Sequence, residues 1–81
     1  MISRDEIREW LEEAREMGAT HMLVVCDTFD WEDYPVFVKP GDSIHDNIAH
    51  FHGKNMQKIM EVYSMSEDLE EQLSEHLNWR I

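Results

Sequence analysis

The sequence predicts an α+β fold with its elements in the order α-β-β-α-β-α. An amphipathic segment behind a capping motif opens the chain and predicts a helix. A continuous apolar run, Met22–Cys26, then predicts a strand that is covered on both faces. Short connections marked by glycine or proline separate the later segments. With a length of 81 residues and no long linker, residues 1–81 are interpreted as one small α+β domain.

The first helix is predicted from Ser3 to Met17. Ser3 and Glu6 fit the S-x-x-E capping box, in which each residue bonds an unpaired backbone N–H of the other. Gly18 supplies the stop, because glycine tolerates the left-handed conformation that commonly follows a helix. The apolar face consists of Ile7, Trp10, Leu11 and Ala14.

Three strands follow from the apolar patterns. Thr20–Thr28 contains the continuous apolar run and is predicted as the central strand. Tyr34–Lys39 is the next strand, and Pro35 favours an edge position because it lacks an N–H. Met56–Ser64 is the third strand, which completes an antiparallel three-stranded sheet in the order 2-1-3. Its alternation predicts two faces, one with Met60 and Val62 and the other with Ile59 and Tyr63.

Two shorter helices complete the prediction and are expected to pack on the sheet with the first. One begins after Asp42 or Ser43, continues to about His52 and ends at Gly53. The other is capped by Ser66 and runs close to residue 81. Their apolar stripes are Ile44, Ile48 and Phe51, and Leu69, Leu73 and Leu77.

The composition limits the partners of the chain. Its net charge is −11, from 18 acidic and 7 basic residues. Nucleic acid and anionic membranes repel such a chain, so a basic protein surface is the expected partner, although charge that serves only solubility is an alternative. Cys26 is the single cysteine, which favours a reducing compartment. The sequence has no apolar signal core or membrane-spanning run, which predicts a cytoplasmic location.

The candidate binding site is the acidic, aromatic stretch D-T-F-D-W-E-D-Y at Asp27–Tyr34, between the first two strands. Exposed aromatic side chains on loops are frequent anchors of binding sites, and acidic neighbours select basic partners. The alternative is that Phe29 and Tyr34 fold onto the core while Trp31 half covers the edge strand. The residues predicted to contact a partner are Trp31, Asp30, Glu32, Asp33 and Phe29.

The rival hypothesis is a small enzyme or metal-binding protein built on His45, His50, His52 and Cys26. On a helix, His45 and His50 are five residues apart and His50 and His52 are two apart, so neither pair shares a face, whereas zinc needs converging ligands. Of this group, only Asp46 and His50, at i and i+4, are expected to point the same way. His21 lies on the opposite face of the strand from Cys26. Phosphate-binding loops and nucleophile motifs are absent from the sequence. We therefore predict no catalytic residue, no metal ligand and no cofactor.

Two rows of carboxylates have two interpretations. They are Asp5, Glu9, Glu13 and Glu16 on the first helix, and Glu67, Glu71 and Glu75 on the last. Such rows are commonly solvated faces, but like charges one turn apart cost a few tenths of a kcal/mol each. The alternative is a phosphate-like surface that engages a nucleic-acid-handling protein.

Three segments together resemble a family of small, uncharacterised bacterial and phage-type proteins. They read T-H-M-L-V-V-C-D-T-F-D-W-E-D-Y-P-V-F-V, G-K-N-M-Q-K-I-M-E-V-Y and E-E-Q-L-S-E-H. The resemblance covers nearly the whole chain. That family has no known activity, so the resemblance implies a bacterial or phage setting and no catalytic residues.

These observations favour a small acidic protein that works by protein–protein contact or regulation rather than catalysis. One form is a phage-type or host regulator that engages a basic nucleic-acid-handling protein. A homodimer is also expected, because the core is small and six methionines, an edge strand, Trp79 and Ile81 are available for association.

Overall fold

The computed structural model describes residues 2–53, 56–75 and 77–81. The elements are α1 (Arg4–Glu16), β1 (His21–Asp27), β2 (Glu32–Val38), α2 (Ile44–Phe51), β3 (Gln57–Ser64) and α3 (Leu69–Ser74). The strands form one sheet in the order β2-β1-β3, and both pairings are antiparallel. The predicted fold class, element order and central strand are therefore confirmed.

The two ends of α1 are fixed by the residues that the sequence indicated. The Ser3 hydroxyl accepts a hydrogen bond from the Glu6 N–H at 3.2 Å, which caps the first turn. Gly18 has a φ of 72°, and the Ala19 N–H donates to the Ala14 carbonyl at 2.9 Å. This 6→1 bond is that of a Schellman motif, so the chain leaves the helix with its last carbonyls satisfied.

The sheet carries an apolar core on each face, which explains the continuous apolar run of β1. On one face α1 and α3 cover Met22, Val24 and Tyr63. The other face is covered by α2, in which no residue is fully buried. This second core consists of Leu23, Val25, Val38, Ile59 and Val62, with Ile44, Ile48 and Phe51 packed against it. The sheet face under α2 is therefore less completely covered than the face under α1 and α3.

The predicted division of β3 into two faces is wrong. Val24 pairs with Glu61 and Val25 pairs with Ile59, so Met60 is an extra residue on β3. This β-bulge reverses the side-chain alternation at that point. As a result Ile59 shares the α2 face with Val62, whereas Met60 packs on the core that contains Tyr63.

The last helix is shorter than predicted. Asp68, and not Ser66, is its N-cap, because the Asp68 carboxylate accepts the Glu71 N–H at 3.0 Å. The helix ends at Ser74, so Leu77 lies outside it. The chain then returns along β3, where the Arg80 N–H donates to the Val62 carbonyl at 2.9 Å. Residues 78–80 thus cover part of the β3 edge.

A buried polar cluster fixes residues 78–80 against β3. It consists of Glu61, Tyr63, Gln72 and Asn78. Glu61 accepts the Tyr63 hydroxyl at 2.9 Å through one carboxylate oxygen and the Asn78 N–H at 2.9 Å through the other. The Arg4 guanidinium also donates to Glu61, at 2.8 Å. Burial, followed by the Glu61 carboxylate, raises the pKa of Tyr63 above its usual range. Over the described residues, every buried side-chain polar atom has a hydrogen-bond partner.

We expect Gln72→Met to destabilise the protein by about 2–3 kcal/mol, because it leaves the backbone N–H and carbonyl of Ser64 without their side-chain partner. The fully buried Gln72 side chain accepts the Ser64 N–H and donates to the Ser64 carbonyl, both at 2.9 Å. Denaturant unfolding measures the loss. The half-buried control Gln57→Met should cost under about 1 kcal/mol. A loss in Gln72→Met no larger than in this control would contradict the assigned role.

Candidate functional site

The β1–β2 connection consists of the four residues 28–31. It is shorter than predicted, because β2 begins at Glu32 and not at Tyr34. Glu32 lies opposite Asp27, and Asp33 lies opposite Cys26. Pairing with the central strand satisfies the backbone of these two acidic residues, which outweighs their low intrinsic strand propensity. We call Phe29, Asp30, Trp31, Glu32 and Asp33 the acidic hairpin tip.

Two carboxylates of the hairpin hold its turn. The Asp27 side chain accepts the Phe29 N–H at 2.8 Å, and the Asp30 side chain accepts the Glu32 N–H at 3.1 Å. The Trp31 N–H donates to the Asp27 carbonyl at 2.7 Å. Such local bonds are those of Asx-turns. They fix the backbone that carries Phe29 and Trp31, so the two rings project from an ordered turn.

Both aromatic side chains of the tip are exposed. Phe29 is 75% and Trp31 is 69% accessible to solvent. The alternative in which Phe29 folds onto the core is therefore wrong. Tyr34 does pack against the core on the α2 face, and its hydroxyl accepts a hydrogen bond from Gln57. The stretch thus divides into one structural aromatic residue and two that are available for contact.

Trp31 adopts a backbone conformation that tryptophan rarely takes. Its φ is 61°, in the left-handed region, where a residue with a Cβ pays about 1–2 kcal/mol. Met56 has a φ of 60° and is 56% exposed. Its carbonyl accepts the Thr28 N–H at 2.7 Å, which places it beside the hairpin. Sequence reasoning missed Met56 as part of this apolar surface, because the contact joins residues far apart in the chain.

The carboxylates of the hairpin are not neutralised by any ion pair that the described residues make. Within the described ranges, Asp27, Asp30, Glu32 and Asp33 form no ion pair. Asp27 and Glu32 are also direct cross-strand partners, and like charges in that position are destabilising. The arginines are occupied elsewhere. The pairs are Arg4–Glu61, Arg8–Asp5, Arg8–Glu70, Arg15–Glu12, and Arg80 with Glu67, Glu71 and Glu75.

The two predicted rows of carboxylates have different outcomes. On α1, Asp5 is paired with Arg8 at 2.9 Å. The rest of that row is exposed on α1 and shows no ion pair among the described residues: Glu9, Glu13 and Glu16. The row predicted on the last helix is wrong, because Glu67 and Glu75 lie outside α3 and bind Arg80.

Cys26 is a poor candidate nucleophile. It is 7% exposed, and its pKa is raised by burial, then by the neighbouring carboxylates of Asp33 and Asp27. A thiol with a raised pKa forms little of the reactive thiolate. His21 lies at the other end of β1, and His76 lies outside the described residues.

The histidines of the α2 segment have separate roles. His52 accepts the Ile59 N–H through Nδ1 at 3.2 Å, and its ring lies 5.8 Å from that of Trp79. His50 packs edge-on against Phe51, with ring centroids 4.7 Å apart. No three potential ligands converge on a metal position anywhere in the described part of the chain. The structure thus does not assemble His45, His50 and His52 into one site.

We expect the purified protein to carry no stoichiometric zinc or other transition metal, because a zinc site needs at least three converging ligands. Elemental analysis after mild dialysis measures the metal content, and a mock purification from cells that lack the protein gives the background. A content of about one metal ion per chain would contradict this expectation.

The chain matches no protein-family model, no curated protein and no solved structure. The resemblance to small bacterial and phage-type proteins thus remains a prediction. None of the described helices is long and apolar enough to cross a membrane.

Proposed function

We propose that this protein is a non-enzymatic binding module that engages a basic, partly apolar protein surface through the acidic hairpin tip. One observation carries the proposal. Phe29 and Trp31 are 75% and 69% exposed on a turn that two carboxylates hold in place. Large aromatic side chains are commonly enclosed by the core or by a partner, and this fold does not enclose these two.

The backbone supports a role in recognition. A glycine or asparagine at position 31 would relieve the strain of a positive φ, yet the chain has tryptophan there. Strained conformations of this kind cluster at functional sites, where the surrounding structure maintains them. The ordered turn also lowers the entropy cost of binding, because the rings are presented before the partner arrives.

The charge of the tip and of the adjacent Asp27 favours a basic partner. Among the described residues, Asp27 and the three carboxylates of the tip form no ion pair, so they attract a basic surface and repel the phosphates of nucleic acid and anionic lipid. Proteins that handle nucleic acids present basic surfaces of this kind. Together with the resemblance, this supports a phage-type or host regulator that occupies such a surface. The single cysteine supports a cytoplasmic setting.

A photo-crosslinking amino acid at position 29 tests the proposal in the native cells. We expect ultraviolet light to join the hairpin tip to one predominant protein with a basic surface. The matched control carries the same photo-crosslinker at Glu13, which is exposed on α1. The adduct should be specific to position 29 and should decrease when unlabelled wild-type protein competes.

Equal labelling from positions 29 and 13 would overturn the assignment of the site. An adduct with nucleic acid, or failure of wild-type protein to compete, would overturn the assignment of the partner class. Repeating the crosslinking in chains that carry Asp30→Asn and Glu32→Gln measures how much the negative charge of the tip contributes to the yield of the adduct. The amide oxygen that Asp30→Asn introduces can still accept the turn hydrogen bond, so the loop is expected to stay in place.

A further inference from the structure

A groove lies beside the acidic hairpin tip, where the chain passes from the end of α2 into β3. Its volume is about 340 Å³, near the lower end of the range for small-molecule pockets, about 300–1,000 Å³. A side chain of a partner therefore fits the groove better than a large ligand does. The described residues that line it are Thr28, His52, Gly53, Met56, Gln57 and Lys58.

The groove is continuous with the hairpin tip. Thr28 directly precedes Phe29, and the Thr28 N–H donates to the Met56 carbonyl at 2.7 Å. The Met56 side chain is 56% exposed, so the groove has an apolar wall that the fold does not cover. Methionine is flexible and polarisable, and its surface adapts to apolar side chains of different shapes. A partner held by Phe29 and Trp31 thus reaches the groove directly.

The groove itself disfavours a cation. Among its described lining residues there is no aspartate or glutamate. Lys58 is exposed there and forms no ion pair within the described part of the chain. A lysine or arginine that entered the groove would meet this like charge, so an uncharged side chain is favoured.

Carboxylates lie immediately beside the groove. Asp27 is opposite Glu32 on β2 and opposite Gln57 on β3. Directly opposite residues of a sheet share a face, and neighbouring strands are about 4.8 Å apart. The backbone positions of Asp27 and Glu32 are therefore about 5 Å and about 10 Å from that of Gln57, which lines the groove. A basic side chain next to an occupant of the groove finds both carboxylates within reach.

We propose that the partner seats an aliphatic side chain in this groove while a flanking lysine or arginine binds Asp27 and Glu32. This inference rests on the proposed function and specifies the partner segment as an aliphatic residue between basic residues. The arrangement is selective, because exchanging the two side chains would bring a cation to Lys58 and an apolar group to the carboxylates.

Nuclear magnetic resonance titration with two blocked peptides tests the inference. The peptides K-S-L-S-K and K-S-S-S-K have the same charge, and in an extended chain their lysines lie about 7 Å from the central residue. We expect the leucine peptide to bind about tenfold more tightly, because burial of a leucine side chain contributes at least that factor. It alone should shift the amide signals of Thr28 and Met56, whereas both peptides should shift those of Asp27 and Glu32.

Met56→Asn removes the apolar wall without straining the backbone. Asparagine accepts the left-handed conformation that Met56 adopts, with a φ of 60°, so the variant is expected to fold, which thermal melting checks. The variant should bind the two peptides equally. Met17→Asn is the matched control, since Met17 is 43% exposed at the end of α1, and it should keep the tenfold preference. A preference that persists in Met56→Asn would overturn the assignment of the groove.

Two further results separate this inference from the proposed function. Equal affinity of the wild-type protein for both peptides, with shifts at Asp27 and Glu32 but not at Met56, would overturn the groove as a site. That result would leave the basic partner of the hairpin tip in place. No shift with either peptide at millimolar concentration would overturn both.

Discussion

Val24→Asp is expected to unfold the protein. Val24 is 1% exposed at the centre of the sheet, between Pro35 on β2 and Glu61 on β3. An aspartate there must either bury an uncompensated charge or bind a proton, and Glu61 is an additional carboxylate on the neighbouring strand. The expected cost exceeds about 4 kcal/mol. The total stability of an 81-residue domain is about 4–12 kcal/mol, so the substitution removes at least about a third of it and, at the lower end of this range, all of it.

Circular dichroism and thermal melting measure this effect. Ala49→Asp is the matched control, because it introduces the same side chain at an exposed position of α2. The control should cost less than about 1 kcal/mol. A cooperative Val24→Asp melt within a few degrees of the wild-type Tm would contradict the central position of β1.

Trp31→Ala is expected to abolish most of the affinity for the partner while leaving the fold intact. Truncation of an aromatic anchor costs at least about 2 kcal/mol, or about thirtyfold in Kd. The side chain is 69% exposed, so its loss removes little core contact and the Tm should stay within a few degrees. Titration calorimetry with the purified partner that the crosslinking identifies measures the Kd, and thermal melting measures the stability.

Trp10→Ala provides the opposite control. Trp10 is half-buried on α1 and packs against the core that contains Val24. Its truncation should lower the Tm and leave the Kd unchanged, because Trp10 is not part of the hairpin. If Trp31→Ala followed the Trp10 pattern, with a lower Tm and unchanged affinity, the hairpin tip would be a structural element and not a binding site.

The acidic residues of the tip are expected to act on the rate of association. Converting Asp30, Glu32 and Asp33 to their amides should slow binding and reduce its dependence on salt, because exposed charges steer the encounter. Stopped-flow kinetics at several salt concentrations measures both effects. A change confined to dissociation, with the salt dependence retained, would contradict steering by these carboxylates.

The elements predicted correctly are those with a local signature. Ser3 and Gly18 mark the ends of α1 through hydrogen bonds within one or two turns of the helix. The continuous apolar run Met22–Cys26 indicates by its composition alone that the strand is buried on both faces. The bulge at Met60 and the bridge at Val62 depend on partners distant in sequence. These interactions have no local pattern, so the face assignment of β3 and the end of α3 were wrong.

The candidate site was predictable in a similar way. A tryptophan and a phenylalanine between two strands predicted aromatic side chains in a surface connection, but did not decide between exposed rings and rings folded onto the core. The left-handed backbone of Trp31 and the turn-holding role of Asp30 were not predictable, since each depends on the loop length that the strand register sets. Met56 joins the surface through a backbone contact with Thr28.

Trp31→Asn gives the most direct test of the hairpin tip as a binding site. Asparagine accepts the left-handed conformation more readily than tryptophan, so the strain is relieved while the aromatic anchor is lost. Thermal melting of this variant should show a Tm equal to or above that of the wild type. Titration of the same preparation with the purified partner that the crosslinking identifies should show a Kd at least about thirtyfold weaker. A lower Tm with unchanged affinity would show that Trp31 serves the fold, and would contradict the proposed function.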